Sequence, residues 1–72
     1  MKTTDIINIG SKILKDAKIH SQLLDTEVIL SHLLKVNRER LLIDEDTLTK
    51  KELSLFNEMI SRRLKREPIA YI

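Results

Sequence analysis

The side chains able to do chemistry are few and poorly grouped. Two histidines, His20 and His32, stand twelve residues apart, whereas helical metal sites place their ligands three or four apart. On a helical wheel His32 points away from the apolar arc around it, which makes it a solvated histidine, and His20 falls in a connection with the same reading. Cysteine is absent, which excludes a disulfide framework and a cysteine-ligated zinc. A single glycine excludes a Gly-rich nucleotide loop, whose tight turn and close backbone approach need several. Carboxylates are numerous, but none stands beside a second catalytic residue type in a recognisable spacing, and a solvated helical surface accounts for them. The chain is therefore expected to carry no catalytic, cofactor-binding or metal-ligating residue.

One basic cluster remains: Arg62, Arg63, Lys65 and Arg66. Cations near a helix C-terminus complement the dipole, each by about 0.3–1 kcal/mol. The functional alternative is a patch for an acidic partner or for phosphates, formed by Arg62, Lys65 and Arg66. Arg63 differs from its neighbours, because it falls inside the apolar arc between Phe56 and Met59. A guanidinium there must snorkel or be paired. Glu67 is the local candidate partner, and Asp25 and Glu27 are long-range ones. Asp25 is the expected partner, since Glu67 sits beside Pro68 where the helix is ending.

Four helical patterns position these groups. The first runs from about Thr4 to Lys18, with Ile6, Ile9, Ile13 and Ala17 as its apolar stripe, Ile7 and Leu14 beside it, and Thr4 as cap. Gly10 lies within it at a cost of about 1 kcal/mol relative to Ala, which a close helix crossing would offset. The second runs from about Gln22 to Lys35, with Ser21 as candidate cap. Leu23, Ile29, Leu30, Leu33, Leu34 and Val36 share one arc, and Leu24 and Val28 fall outside it, so this helix should be the most buried. The third is short, Arg38 to Ile43, capped by Asn37 and anchored by Leu41 and Leu42. Asp44, Glu45 and Asp46 then form a loop. The fourth begins with a capping box, Thr49 and Glu52, and a hydrophobic staple, Leu48 with Leu53. Leu53, Phe56, Met59, Ile60 and Leu64 make its face, and Pro68 ends it near Arg66.

Seventy-two residues make one domain at most. A chain of this size buries only about 60% of its unfolded surface, and its core should supply roughly 3–5 kcal/mol. The hydrophobic fraction of 42%, with one Gly and one Pro, favours a small all-α bundle of four to five short helices over disorder or strands. A net charge of +2 does not announce a nucleic-acid binder. The start MKTTDIINIG leads to the expectation of no signal peptide, and no stretch of this sequence reaches membrane-spanning apolar length. The chain closes on Ile69-Ala70-Tyr71-Ile72, an apolar, partly β-branched segment with nothing to pack against, so it is expected to be the front of a larger protein.

Arg62-Arg63 followed by Glu67-Pro68-Ile69-Ala70-Tyr71-Ile72 resembles the RR…EPxxYI passage of the release factor glutamine methyltransferases, the HemK or PrmC family. Leu24-Asp25-Thr26-Glu27-Val28-Ile29-Leu30 with His32-Leu33-Leu34 is similar to that family's LDAExLLxHxL helix, and Arg38-Glu39-Arg40-Leu41-Leu42 fits its short third helix. Thr26 stands where alanine is usual, Gln22 where proline is common, and Lys35-Val36-Asn37 replaces a turn that more often carries glycine. The resemblance covers almost the whole chain. It implies a parent that uses S-adenosylmethionine to methylate the GGQ glutamine of class-1 peptide release factors in translation termination. It also implies an N-terminal helical domain that helps hold the release factor, followed by a linker and a Rossmann-like catalytic domain. The family's Gly-rich cofactor loop and Asn-Pro-Pro-Tyr motif are not in this sequence, so no catalytic or cofactor residue carries over.

The resulting expectation is a substrate-docking domain over residues 1–67 and the start of a linker over 68–72. Its partners would be class-1 release factors and the parent's own catalytic domain, in the cytoplasm, as a monomer and without direct nucleic-acid binding. The competing reading is a free-standing helical module for nucleic acid or protein. A helix-turn-helix reader would want a glycine-bearing turn and base-reading side chains at one helix front, and neither is found.

Overall fold

The computed structural model describes residues 1–43 and 45–66. Four helices follow in order: α1 Thr3–Asp16, α2 Gln22–Leu34, α3 Arg38–Ile43 and α4 Lys50–Leu64. Among the described residues the only extended pairing is an isolated antiparallel bridge between Lys2 and Thr47. The fold is all-α. Pro68 and the apolar residues after it lie outside the described residues, as does Asp44.

Helix starts follow different rules in this small molecule. At α4 the capping box is complete: the Glu52 amide donates to Thr49 Oγ1 at 3.2 Å, and the Thr49 amide donates to Glu52 Oε1 at 2.8 Å. At α3 the Arg40 amide donates to Asn37 Oδ1 at 2.9 Å. For α1 the expected cap at Thr4 is corrected. Thr4 lies inside the helix, Lys2 is the capping position, and it makes no side-chain capping bond. The start is instead fastened by backbone to the segment before α4. The Thr3 amide donates to the Asp46 carbonyl at 2.9 Å, and the Leu48 amide donates to the Met1 carbonyl at 3.0 Å. Thr3 is fully buried by this. The expected cap of α2 is corrected as well: Ser21 holds the capping position but makes no side-chain capping bond, its hydroxyl donating to Asp25 instead.

Helices α1 and α2 end alike. Lys18 and Lys35 take left-handed backbone angles, φ 62° and 56°. The Ile19 amide reaches back to the Leu14 carbonyl at 3.0 Å, and the Val36 amide to the Ser31 carbonyl at 3.0 Å. These six-to-one bonds are Schellman closures, usually built on glycine. A lysine there costs roughly 1–2 kcal/mol, which burial of Leu14 and Ile19 offsets at the first closure.

The core is Ile6, Ile7, Leu14, Ile19, Ile29, Leu30, Leu41, Leu48, Phe56 and Ile60. Helix α2 supplies its centre, with Asp25, Thr26, Glu27, Ile29 and Leu30 all buried. The expected stripe of α1 is corrected here. Thr3, Ile6, Ile7, Gly10 and Leu14 face inward, while Ile9 and Ile13 remain 44% and 36% exposed. The cause is Gly10. A Cβ on it would lie 2.7 Å from Thr26 Cγ2 and 2.9 Å from Phe56 Cζ, so α1 meets α2 and α4 through bare backbone. That contact turns the glycine, not the isoleucine stripe, to the middle of the buried arc. Two further anchors are corrected: Leu42 is 67% exposed and Leu23 is 53% exposed, leaving Leu41 as the single buried side chain of α3.

Gly10→Ala tests the crossing. In an open helix this change stabilises by about 1 kcal/mol. Here Thr26 is β-branched and its hydroxyl donates to the Gln22 carbonyl at 2.7 Å, so it cannot give way freely. Overpacking of this kind costs typically about 1–3 kcal/mol. Thermal unfolding should show a melting temperature several degrees below the parent. A melting temperature at or above the parent's would remove the reason given for the outward turn of Ile9 and Ile13.

Candidate functional site

Helix α2 carries three buried polar residues in a row, Asp25, Thr26 and Glu27, at 5%, 0% and 6% exposure. Successive helical residues diverge by about 100°, so the three face different neighbours. Asp25 Oδ2 accepts from Arg63 Nε of α4 at 2.9 Å and from Ser21 Oγ at 2.9 Å. Thr26 packs on Gly10 of α1. Glu27 Oε1 accepts from Arg38 Nη2 of α3 at 2.9 Å. Of the candidate partners for Arg63, the structure brings Asp25 to it and gives Glu27 to Arg38; Glu67 lies outside the described residues. The contact to Asp25 runs through Nε, and the side chains of Arg63 and Asp25 are 18% and 8% exposed. Sequence reasoning did not single out the Arg38–Glu27 pair. Its signal was a carboxylate between two core-facing positions of the most apolar helix, which had to find a cation.

The basic cluster is dispersed in its duties. Arg62 is half-buried and engaged. Lys65 is the exposed C-cap position of α4. Arg66 donates from Nη2 to the Ala17 carbonyl at 2.9 Å, closing the end of α1 with a cation from α4. That bond also brings Lys15 and Lys18 to the same end of the bundle. Their part was readable in principle, since the ends of α1 and α4 must meet if the two helices run side by side in the same direction. His20 and His32 are both exposed, and among the described residues no three His, Asp or Glu side chains group to hold a metal.

Two apolar features complete the surface. A groove between α1 and α4 is lined by Met1, Ile6, Ile9, Leu53, Phe56 and Asn57. A second depression, bounded by Ile7, Leu23, Leu41 and Leu42, lies where α1, α2 and α3 meet. Leu42 and Ile43, 67% and 81% exposed, stand at the free end of α3.

Removing one member of a buried ion pair strands the other charge, at about 3–5 kcal/mol. Because Arg63 keeps some solvent contact, Arg63→Ala should cost roughly 2–4 kcal/mol, comparable to the whole margin. Lys65→Ala should stay within about 0.5 kcal/mol. A double-mutant cycle of Arg63→Ala with Asp25→Ala, read by urea denaturation, should give a coupling above about 1 kcal/mol. Coupling near zero with the fold intact would show that the pair does not hold α4 to α2.

The chain matches the family model described as the PrmC N-terminal domain over residues 5–72. It is similar to the release factor glutamine methyltransferase of Bifidobacterium longum (strain NCC 2705), with 39% identity over 77 aligned residues that take in 100% of this chain and 26% of the relative. The chain thus spans about a quarter of that protein's length. No solved structure matches it. With nearly every residue inside the matched span, the chain belongs to the PrmC N-terminal domain family.

Proposed function

We propose that this segment is the substrate-docking module of an S-adenosylmethionine-dependent protein-glutamine methyltransferase. In this reading it holds a class-1 peptide release factor so that the glutamine of the GGQ motif reaches a catalytic domain elsewhere in the parent protein. Docking is assigned to residues 1–67 and the start of the linker to 68–72. The cofactor is used by the parent's catalytic domain, and the setting is the cytoplasm, where translation terminates.

The observation that carries the reading is the family match over residues 5–72, together with the name of the Bifidobacterium relative. The surface supports it. Leu23 and Leu42, both exposed and lining one depression, are the kind of apolar surface that marks a protein-interaction face. Few aromatics, Phe56 and Tyr71, of which Phe56 is buried, leave little for stacking nucleic-acid bases. Among the described residues no helix is long and apolar enough to cross a membrane.

A docking module contributes binding energy remote from the reacting atoms, so its loss should fall on large substrates and spare small ones. The purified 72-residue chain should bind a class-1 release factor saturably with 1:1 stoichiometry in isothermal titration calorimetry. The parent enzyme lacking residues 1–66 should lose kcat/KM on intact release factor while keeping it on a short GGQ-containing peptide. Equal loss on both substrates, with no binding by the isolated chain, would assign the segment to folding of the enzyme instead.

A further inference from the structure

The end of the bundle where α1 and α4 finish is more positive than its helices require. Arg66 Nη2 lies 2.9 Å from the Ala17 carbonyl, which sets residues 65–66 against residues 15–18. Lys15, Lys18, Lys65 and Arg66 are all exposed. Among the described residues Lys15, Lys18 and Lys65 have no ion-pair partner.

Dipole compensation does not use this charge up. A helix C-terminus carries about half a negative charge and an N-terminus about half a positive one. Two C-termini, of α1 and α4, and one N-terminus, of α2, share this end, as the Arg63–Asp25 bond places Asp25 in the first turn of α2 against the last turn of α4. Their sum is roughly half a negative charge. Asp16 adds one more anion at the end of α1. Against four cations that leaves between two and three positive charges among the described residues, and between one and two with the carboxylate of Glu67, next in the sequence, counted as well. Arg63 does not contribute, because Asp25 neutralises it, and nothing here draws on Arg62, which is already engaged.

We infer that this basic end, built from Lys15, Lys18, Lys65 and Arg66, meets an acidic patch of the protein partner, in addition to the apolar contact offered by Leu23 and Leu42. The inference rests on the release-factor reading above and adds the face and its chemistry. An acidic protein surface fits better than a nucleic acid for two reasons. The cations form a compact group at one end, not a stripe that could follow a phosphate backbone. Three of the four are lysines, compact charges on flexible stems, suited to scattered carboxylates and lacking the planar fork that reads phosphate bidentately. Charge of this kind acts mainly on association rate and orientation, which is what a docking module must supply.

Binding of the 72-residue chain to a class-1 release factor, followed by fluorescence anisotropy, separates the possibilities. Lys15→Glu with Lys65→Glu should weaken binding roughly tenfold or more, taking about 0.7 kcal/mol for each reversed exposed contact. Lys15→Gln with Lys65→Gln should give a smaller loss. Lys50→Glu with Lys51→Glu, the same charge change on exposed residues at the opposite end of α4, should change affinity less than twofold, by the same constants. Wild-type affinity should fall as salt rises, with a shallower slope in the Lys15/Lys65 variant. All variants should keep the parent's helical circular dichroism. If the wild type binds and the Lys15→Glu/Lys65→Glu variant binds equally well, the basic end is not the contact, and the docking reading survives without it. If the wild type does not bind the release factor at all, both fall. If a mixed-sequence RNA duplex binds more tightly than the release factor and loses that binding in the same variant, the surface is a phosphate site and the acidic-protein assignment is overturned.

Discussion

Consecutive residues on an α-helix project about 100° apart, so a helix that buries three in a row must have neighbours on most of its circumference. Helix α2 does this with Asp25, Thr26 and Glu27, and each of the three meets a different helix. Asp25 is tied to α4 through Arg63, Thr26 lies against Gly10 of α1, and Glu27 is tied to α3 through Arg38. The placement of the other three helices follows from these contacts. Two are charged and directional, and one is a steric fit that a methyl group on Gly10 would strain. Among the described residues, ten buried apolar side chains supply the drive to collapse, but such a core tolerates many arrangements of similar volume. Ionic ties to fixed partners select among them, the role best attested for buried polar groups elsewhere.

The cost of this design is visible. The largely buried Arg63–Asp25 pair adds little net stability over apolar replacements, the Arg38–Glu27 pair is 47% exposed at its arginine and weak for that reason, and two helix ends place lysine in a left-handed conformation. A chain of this length has little margin to spare. The start of α1 is secured through backbone bonds to the loop before α4, so the first helix is fastened to the last. Met1 meets Leu48 at one end, and Ala17 meets Arg66 at the other. These bonds align α1 and α4 in the same direction and gather their C-terminal cations on one end of the molecule.

Much of the fold was legible in the sequence where a local rule governs. The capping box at Thr49 and Glu52, the cap at Asn37 and the bounds of α3 depend on residues within a few positions of one another, and each is found in the structure. Periodicity failed where it offered two answers. The first helix has apolar residues on two adjoining faces, and counting them favours Ile9 and Ile13. The choice was made by Gly10, through a contact with Thr26 and Phe56 that no window of sequence contains. Leu42 failed for a related reason. A six-residue helix can anchor through one side chain, and in α3 that side chain is Leu41, while Arg38 pairs with Glu27. Of the candidate site, the cluster at residues 62–66 was legible as charge, but the joining of Lys15 and Lys18 to it needed the parallel course of α1 and α4.

Helix α2 is the element on which the other three depend. Native-state hydrogen exchange measures this directly, because the last structure to open exchanges only through global unfolding. The amides of Ile29 and Leu30 should be the most protected in the chain, with an opening free energy equal to that from denaturant unfolding, and α3 should open at lower free energy. Exchange of Ile29 and Leu30 through a partial opening, while α1 and α4 stay protected against each other, would contradict it.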